Sequence, residues 1–519
     1  MKQRLSQFSA GLDQHPWIGM LILILFGFVY CLPALQAPFW VGNDTWSNLL
    51  PIIHYRDSIL NSHVFPLYTD LWYGGRDQWA NPLWSFFYIP STLIYLLTPL
   101  DWGTRIVYFG HLIFILLTAR KLSSLFLRTE IERISAAIIL ASPSLPAFIA
   151  GHTEKIMSWG WVLLGVYILL EEGRSIQQRG FLTGFCLGVI PITGSNYYAF
   201  YAAILFLPLV LSFRNKKLIG FFILGATVGL VHLPGVWYLI GQPRANAGQS
   251  IREFSLSFVG IFSSLSIGLT KPMNWETWSP IGIPVVYLFF RKFFLKVKNP
   301  GSITPLEKSL IFSLFVLMLL ATSLAYHGHH LLDTFRVPIR AISFIALVVT
   351  LFILNSQAGR EKSKMNVFLV VSALQVVFIF FMIRPSGAVY SPYDPQAQTL
   401  ADTLKADGAE RVWISMRELN DMYIQVVLTQ NGIALPNVYY GDMGQEVKIT
   451  GDFCDYSFDH LIVLESLVRE RIELKADMEW SDIQGEISLT DLSLVKRVKI
   501  NDGFYHVYRV SCDSINSSR

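Results

Sequence analysis

Charged residues are scarce in this sequence: they make up 15% of its 519 residues, whereas hydrophobic residues make up 52%. So little charge excludes an ordinary soluble globular protein, in which about 25% of residues are charged. Apolar runs of about 17 or more residues recur along the chain, a pattern typical of a polytopic helical membrane protein. We also expect no cleavable signal peptide, because the first apolar segment, Trp17–Leu35, is long enough to span a bilayer and no small-residue cleavage site follows it.

Acidic residues are sparse in most of the chain and concentrated at its end. Residues 385–519 hold 21 acidic and 12 basic residues, a net charge of −9, so the preceding 384 residues carry a net +13. The basic excess falls in short loops between apolar runs, where the positive-inside rule explains it, and nothing indicates nucleic-acid binding. We therefore predict a membrane domain over residues 1–384 and an acidic soluble domain over residues 385–519.

Cysteine is also rare, with four in the whole chain. Cys31 and Cys186 fall in apolar segments, whereas Cys454 and Cys512 fall in the acidic domain. If that domain lies outside the cell, it is in an oxidising space. We expect a disulfide between Cys454 and Cys512; the alternative is two free thiols.

One apolar segment, Trp84–Leu97, leaves the topology open, because it is either a span or a helix at the outer membrane surface. If it were a span, the basic segment Ala119–Arg133 would face outside, which the positive-inside rule disfavours, so we interpret it as interfacial. The sequence then predicts a plasma-membrane protein with eleven spans, a cytoplasmic N-terminus and an external C-terminal domain. The predicted spans are Trp17–Leu35, Arg105–Leu117, Ile134–Ile149, Ile156–Leu170, Phe181–Ile192, Tyr198–Leu211, Leu218–Ile240, Pro280–Phe290, Leu310–Ala325, Val337–Leu354 and Val367–Ile383.

The acidic C-terminal domain shows mixed α/β patterning. Gln396–Ala406 has helical periodicity, and Arg411–Ser415 and His460–Leu464 read as short buried strands. Val495–Ile500 and Phe504–Val510 flank an Asn-Asp-Gly turn, which predicts a hairpin. The predicted fold class is thus an α-helical polytopic membrane protein with a C-terminal extracytoplasmic α/β domain.

The predicted first external loop, residues 37–104, is long and rich in polar and aromatic side chains. Loops of this length usually carry function. Asp44 lies near its start, where a partly desolvated carboxylate would serve as a general base; the alternative is an N-cap for a helix over Trp46–Tyr55. His54 on that helix is a candidate for binding an acceptor or a cation, or else an interfacial side chain.

A second polar group occupies the predicted external turn Ala150–Lys155. His152 and Glu154, two residues apart, would bind a divalent cation or hold an acceptor hydroxyl. Two residues do not make a metal signature, so an ordinary polar turn at the membrane surface is the alternative. The sequence leaves both interpretations open.

A third polar group, Tyr326–Arg340, lies at the predicted outer ends of the ninth and tenth spans. His330, Arg336 and Arg340 are candidates for binding a donor phosphate, because arginine matches phosphate geometry. Arginines that snorkel at a helix start are the alternative.

Three segments of the chain together resemble a known group. They are FPLYTDLWYGGRDQWANPLWSFFYIPSTLIYLL (Phe65–Leu97), GHTEKIMSWGWVLLG (Gly151–Gly165) and FRVPIR (Phe335–Arg340). The aromatic start, the Gly-Gly turn and the Asn-Pro dipeptide of the first segment are similar to those of YfhO-like bacterial membrane proteins. That group belongs to the GT-C superfamily of membrane glycosyltransferases, so the resemblance implies a helical membrane domain with a long first external loop that bears an acidic residue.

The resemblance implies a transferase that moves a sugar from a polyprenyl-phosphate donor to a glycan, lipid or protein acceptor outside the membrane, with inversion. Asp44 matches the position of the superfamily's loop-one acid. The sequence has Asn43-Asp44 there instead of an Asp-x-Asp or Asp-Glu pair, which leaves dependence on a divalent cation open. Trp72, Tyr73 and Trp79 would stack on sugar faces.

Two other functional classes stay open at this point. A transporter or flippase of a lipid-linked glycan would place polar residues at mid-membrane depth and use broken helices. A non-catalytic envelope-assembly protein would keep the scaffold without the chemistry, and the missing acidic pair is compatible with it.

Overall fold

The structure, a computed structural model, describes residues 11–36, 45–66, 68–69, 76–77, 85–150, 152–233, 255–267, 279–322, 340–355, 362–382, 395–415, 422–435, 459–464, 492–500 and 503–510. The chain divides into two compact units. Unit 1 comprises Met1–Ala37 and Pro82–Gly387, and unit 2 comprises Pro38–Asn81 and Ala388–Arg519. The sequence placed the whole first loop with the membrane domain; in the structure its first part groups with the C-terminal residues.

Helices dominate the described residues. In chain order they are α1 Pro16–Gln36, α2 Thr45–Leu60, α3 Ile89–Leu97, α4 Leu100–Ser123, α5 Glu130–Ala141, α6 Leu145–Ala150, α7 Thr153–Leu170, α8 Ile176–Ile192, α9 Asn196–Ser212, α10 Lys216–Ala226, α11 Phe258–Ile267, α12 Ile283–Lys298, α13 Pro305–Ala321, α14 Ala341–Asn355, α15 Lys362–Met382, α16 Pro395–Ala406 and α17 Met422–Gln430. Helices α2, α16 and α17 belong to unit 2, and the others to unit 1.

Unit 1 is a helical body with membrane-capable elements. Most of the described part of each predicted span is helical. By length and apolar composition, three stretches of the described residues could cross a membrane: Leu100–Ser123, Glu130–Phe148 and Thr153–Leu170. The second of these joins α5 and α6 through a 3-10 turn at Ser142–Ser144. The structure thus supports a helical protein with membrane-capable helices, in line with the coarse prediction.

Local sequence signals define several helix starts. Before α8, the Ser175 hydroxyl accepts the backbone N–H of Gln178 at 3.3 Å, and the Gln178 side chain accepts the Ser175 N–H. Thr304 and Glu307 form the same reciprocal arrangement at the start of α13. These capping boxes satisfy N–H groups that no helix carbonyl can reach.

Helices α8 and α10 pack at backbone contact because glycines line their interface. Gly180, Gly184 and Gly188 recur every four residues on α8, so they share one face. A Cβ on Gly184 would lie 1.9 Å from the carbonyl oxygen of Phe222, and one on Gly225 would lie 2.0 Å from that of Phe181. Small residues at this spacing allow the close helix approach that is common in membrane proteins.

Helix α3 runs antiparallel to the first half of α4, and the two form a hairpin about Thr98 and Pro99. A Cβ on Gly103 of α4 would lie 2.8 Å from the Tyr95 ring, and Tyr88, which precedes α3, contacts His111 halfway along α4. Nine residues make a helix of about 14 Å, too short for a bilayer core of about 30 Å. The helix is therefore too short to span a bilayer by itself, and it packs against α4; the interfacial position of Trp84–Leu97 stays a prediction.

A buried glutamate joins the starts of α1 and α5 to the end of α4. The Glu130 carboxylate accepts the Arg120 Nε–H at 2.5 Å and lies 3.5 Å from Arg133. Its backbone N–H donates to Asp13 at 2.6 Å. Gly19 makes room for this cluster, because a Cβ there would lie 2.1 Å from a Glu130 oxygen.

Unit 2 contains an antiparallel pair of short strands, β1 Tyr68–Thr69 and β2 Arg76–Asp77, and a separate four-stranded sheet. The strands of the sheet are β3 Val412–Ser415, β4 His460–Leu464, β5 Leu492–Ile500 and β6 Gly503–Val510, and their order in it is β3-β4-β6-β5. Strands β3 and β4 are parallel, and β5 and β6 form the predicted hairpin, with an irregularity between Leu494 and Lys496.

Helix α2, from the predicted first loop, packs against α17 of the C-terminal residues. Leu49, Ile52 and Ile53 are buried on α2, as are Val427 and Leu428 on α17. Burying such side chains stabilises a contact by about 1.5–3 kcal/mol each. Unit 2 is therefore built from two distant parts of the sequence.

Candidate functional site

The junction between α6 and α7 holds a buried histidine and carboxylate. The backbone N–H of His152 bonds the Ala147 carbonyl at 3.0 Å, which closes α6, and α7 begins at the next residue. The His152 side chain is buried, and its Nδ1 lies 2.7 Å from Oε1 of Glu154. With the carboxylate ionised, Nδ1–H is the donor, so this contact fixes which face of the imidazole meets the acid.

Side chains from two other helices close around the start of α7. The hydroxyls of Tyr108, on α4, and Thr153 lie 2.9 Å apart. Thr193, at the end of α8, donates its hydroxyl to the Glu154 carbonyl at 3.4 Å. Lys155 is also buried in this first turn. The predicted external turn is thus a packed polar site at which three helices meet.

Arg340 packs on the first turn of α9. It directly precedes α14, is only 8% exposed, and its guanidinium carbon sits 4.5 Å from the ring centre of Tyr197. Tyr197 follows Thr193 by four residues, and Thr193 in turn contacts Glu154. The segment Thr193–Tyr197 therefore contacts both Glu154, from the second predicted polar group, and Arg340, from the third. A buried guanidinium that stacks on an aromatic ring is preorganised to bind phosphate or carboxylate.

Hydroxyl groups and aromatic rings pack around the first turn of α14, directly after Arg340. Tyr198 donates to the Ser343 hydroxyl at 3.4 Å, and Ser279 lies 3.5 Å from the same oxygen. Trp159 packs edge-on against Tyr198 and Phe344, with ring centres 5.9 and 5.4 Å apart. This aromatic layer excludes water beneath the polar groups and strengthens their electrostatic interactions.

Several predicted site residues lie outside the described part of the chain or in the other unit. His54 is buried on α2, in unit 2. The remaining predictions fall outside the described residues and stay predictions: Asp44, Trp72, Tyr73, Trp79, His330, Arg336 and the cysteine pair Cys454 and Cys512.

The sequence did not identify Tyr108, Thr193, Tyr197 and Ser343 as parts of this site. A weak signal existed for two of them, since the polar turn that contains Thr193 and Tyr197 interrupts two apolar runs. Tyr108 and Ser343 lie inside apolar helices and carry no local signal.

The predicted cation site stays a prediction. In the described ranges, no group of three or more His, Cys, Asp or Glu side chains is placed to hold a metal ion. His152 and Glu154 would therefore bind a divalent cation only with ligands from elsewhere in the chain or from a substrate.

Unit 2 contains a separate charged cluster around His460. Its Nε2 lies 2.8 Å from Asp407, and its Nδ1 lies 2.7 Å from Asp459. Arg509 donates its Nε–H to Asp407 at 3.0 Å and pairs with that carboxylate through Nη2 as well. Because both ring nitrogens face carboxylates, the contacts favour the protonated form of the ring, in which both nitrogens donate.

The pKa values of this cluster follow from its contacts. Hydrogen bonds from Arg509 and His460 lower the pKa of Asp407. Burial by itself lowers the pKa of His460, but its bonds to Asp459 and Asp407 outweigh burial and raise the pKa above its ordinary value. Asp459 and His460 stand at the amino-terminal end of β4, whereas ligands of α/β sheets bind at carboxyl ends of strands. We therefore assign this cluster to the stability of unit 2.

Comparison with known proteins adds no assignment. No protein-family model matches the sequence, and no curated protein matches it significantly.

Proposed function

We propose that the protein is a membrane glycosyltransferase of GT-C type, which moves a sugar from a polyprenyl-phosphate donor to an acceptor glycan, lipid or protein outside the membrane, with inversion. One observation carries the proposal. The segment Thr193–Tyr197 contacts the backbone carbonyl of Glu154 at one end and the Arg340 guanidinium at the other. A residue that bears a carboxylate and a cation, both held by one short segment, would supply the groups needed to hold an acceptor hydroxyl and a donor phosphate.

The membrane arrangement is part of the proposal: eleven spans in the plasma membrane, the N-terminus inside and the C-terminal domain outside. Exposed apolar faces support it. On α15, Val367, Val371, Leu374 and Phe378 are all exposed and recur at helical spacing. A solvated protein rarely exposes such a stripe, whereas contact with lipid accounts for it.

The proposed reaction is a single displacement at the anomeric carbon. Asp44 takes the proton of the acceptor hydroxyl, and that oxygen attacks the carbon as the carbon–oxygen bond to phosphate breaks. The electron pair leaves with the polyprenyl phosphate, whose charge Arg340, Arg336 and His330 stabilise. The Glu154 carboxylate, oriented by its histidine neighbour, holds the acceptor or a divalent cation.

A flippase or transporter of a lipid-linked glycan is the second candidate, and one observation favours it. Tyr88, His111 and Trp161 form a polar network halfway along α4, beside the short helix α3. Buried polar groups at such a depth and half-length helices are features of transporters.

Transfer in proteoliposomes separates the two candidates. The purified full chain would receive a polyprenyl-phosphate donor with a radiolabelled sugar and a crude glycan acceptor fraction. We expect Asp44→Asn to abolish transfer and Glu154→Gln to lower it by about 100-fold. The matched control is Glu132→Gln, which alters another buried glutamate but keeps a side chain able to cap α5. Full transfer by Asp44→Asn, or donor movement between leaflets without transfer, would overturn the transferase proposal.

A further inference from the structure

Helix α3 and the turn before it expose apolar side chains and bury polar ones. On α3, Ile89, Leu93 and Leu97 are between 50% and 80% exposed and recur every four residues, so they form one stripe, which we call the α3 outer stripe. Residues 85–97 include no charged residue. Their polar side chains are all buried, namely Ser85, Tyr88, Ser91, Thr92 and Tyr95. A helix on the surface of a soluble domain would show the opposite distribution.

A helix that lies flat in the membrane interface keeps a polar face in water. Such helices carry charged residues, mostly lysine and arginine, on that face. The exposed residues of α3 are Ile89, Pro90, Leu93 and Leu97, and all four are apolar. The opposite side of α3 packs on α4 through the buried ring of Tyr95. The exposed surface of α3 is therefore suited to hydrocarbon and not to the boundary with water.

The start of α3 lies beside the middle of α4. Helix α4 has 24 residues and is about 36 Å long, enough to cross a bilayer core of about 30 Å. His111 is the twelfth of them, and its Nε2 lies 2.9 Å from the Tyr88 hydroxyl. Near the other end of α3, the Tyr95 ring meets Gly103, in the first turn of α4. If α4 crosses the membrane, a step that belongs to the proposed function, Tyr88 lies at mid-bilayer depth and Leu97 near the surface.

The turn before α3 satisfies its own backbone groups. The Tyr88 N–H donates to the Ser85 carbonyl at 2.9 Å. The Thr92 hydroxyl donates to the Phe86 carbonyl at 2.7 Å, and the Ser91 hydroxyl donates to the Tyr88 carbonyl at 3.1 Å. Hydrocarbon offers no hydrogen bonds, so backbone outside a helix is tolerated at membrane depth only where the protein supplies them. The two hydroxyls of α3 meet this requirement.

We propose that α3 is a re-entrant half-helix. The chain reaches mid-bilayer depth at residues 85–88, turns, and returns to the outer surface along α4, with the α3 outer stripe in contact with lipid acyl chains. Nine residues make about 14 Å, which matches half of the hydrocarbon core. Lipid fits the stripe better than another protein helix does, because helix interfaces in membranes are rich in small residues, whereas this stripe consists of isoleucine and leucine.

Depth along the stripe can be measured directly. A nitroxide would be attached to p-acetylphenylalanine introduced singly at Ile89, Leu93 or Leu97, and the full chain would be reconstituted in phosphatidylcholine liposomes. Collision of each label with oxygen, which concentrates in hydrocarbon, and with a water-soluble nickel chelate reports its depth. We expect the Ile89 label to lie about 12 Å deeper than the Leu97 label, because a helix rises about 12 Å over eight residues. The Leu93 label should lie between them.

Labels at Trp102 and Ile106, which are exposed on α4, are the matched controls. Their depth should increase by about 6 Å from the first to the second. With that gradient intact, equal depth at the three α3 positions, or access of the nickel chelate to all three, would overturn the re-entrant half-helix and leave the proposed function standing. A stripe closed to both reagents would mean that protein covers it, which also overturns the proposal. Loss of the α4 gradient would contradict the proposed membrane arrangement and this inference with it.

A charge placed on the stripe gives a second test. Ile89→Lys would put an ammonium near the middle of the hydrocarbon, whereas Leu97→Lys would put it where the side chain reaches water. We expect Ile89→Lys to lower the yield of folded, monodisperse protein by about fivefold or more, and Leu97→Lys to leave it within about twofold of the unaltered protein. Similar yields of the two variants would contradict a difference in depth between the ends of α3.

Discussion

The Tyr88 hydroxyl lies 2.9 Å from Nε2 of His111 and accepts the indole N–H of Trp161 at 3.0 Å. His111 Nδ1 lies 2.6 Å from the Val107 carbonyl, so that nitrogen carries the proton and Nε2 is the acceptor. The tyrosine therefore donates to the histidine and receives from the tryptophan. This chain of bonds fixes the start of α3 against α4 and α7.

Tyr88→Phe should destabilise the protein by about 1–3 kcal/mol, because it leaves a buried ring nitrogen and a buried indole N–H without their partner. Thermal unfolding in detergent would measure the change. Tyr287→Phe removes the hydroxyl of an exposed tyrosine on α12 and should have little effect. Equal stability of both variants would contradict this role of Tyr88.

Gly184→Ala should destabilise unit 1 by about 3 kcal/mol, since the added Cβ would meet the Phe222 carbonyl at 1.9 Å and force α8 and α10 apart. The comparison is Gly220→Ala, on the outer side of α10, where nothing lies within 4 Å of the new atom. That change should be neutral or stabilise the helix by up to about 1 kcal/mol. Unfolding in detergent distinguishes them, and a tolerant Gly184 would refute the close packing.

Arg340→Lys should lower kcat/KM for the donor by about tenfold or more, because an ammonium cannot reproduce the planar stacking on Tyr197 or bidentate phosphate binding. Arg105→Lys is the control, since that guanidinium also stacks on a ring, 4.8 Å from the centre of Trp102. Steady-state transfer kinetics at varied donor concentration would test both. Similar losses in the two variants would assign Arg340 a general structural role.

The charged cluster predicts that the stability of unit 2 depends on pH. The raised pKa of His460 means that its contribution is fully present below its unfolded pKa of about 6.5 and is lost as pH rises through the folded value. The lowered pKa of Asp407 affects stability at acidic pH. The stability that ionised Asp407 contributes is present above about pH 4 and is lost as pH falls through the pKa of the folded state.

Unfolding of unit 2 at a series of pH values would measure this effect. Stability should fall above about pH 6.5 by at most about 1.4 kcal/mol per pH unit for one proton. His460→Gln should remove that fall while leaving the acid-side loss caused by Asp407. A slope that survives in the variant would show that another group titrates.

The sequence predicted what depends on local patterns. Capping pairs such as Ser175 and Gln178 stand three residues apart, and His152 and Glu154 stand two apart, so both proximities could be read directly. The contact of Arg340 with Tyr197 joins positions 143 residues apart, and only the packed helices bring them together. Charge counting indicated that Trp84–Leu97 does not span, but charges of neighbouring loops carry no information on the packing of α3 against α4.

The pairing of α2 with α17 has a consequence for synthesis. A ribosome that adds about 5–20 residues per second needs on the order of tens of seconds to pass from Leu60, at the end of α2, to Gln430, at the end of α17. During that interval, the buried side chains Leu49 and Ile52 have no native neighbour on α17 to cover them. The first part of unit 2 to be made is therefore completed only when the last quarter of the chain emerges.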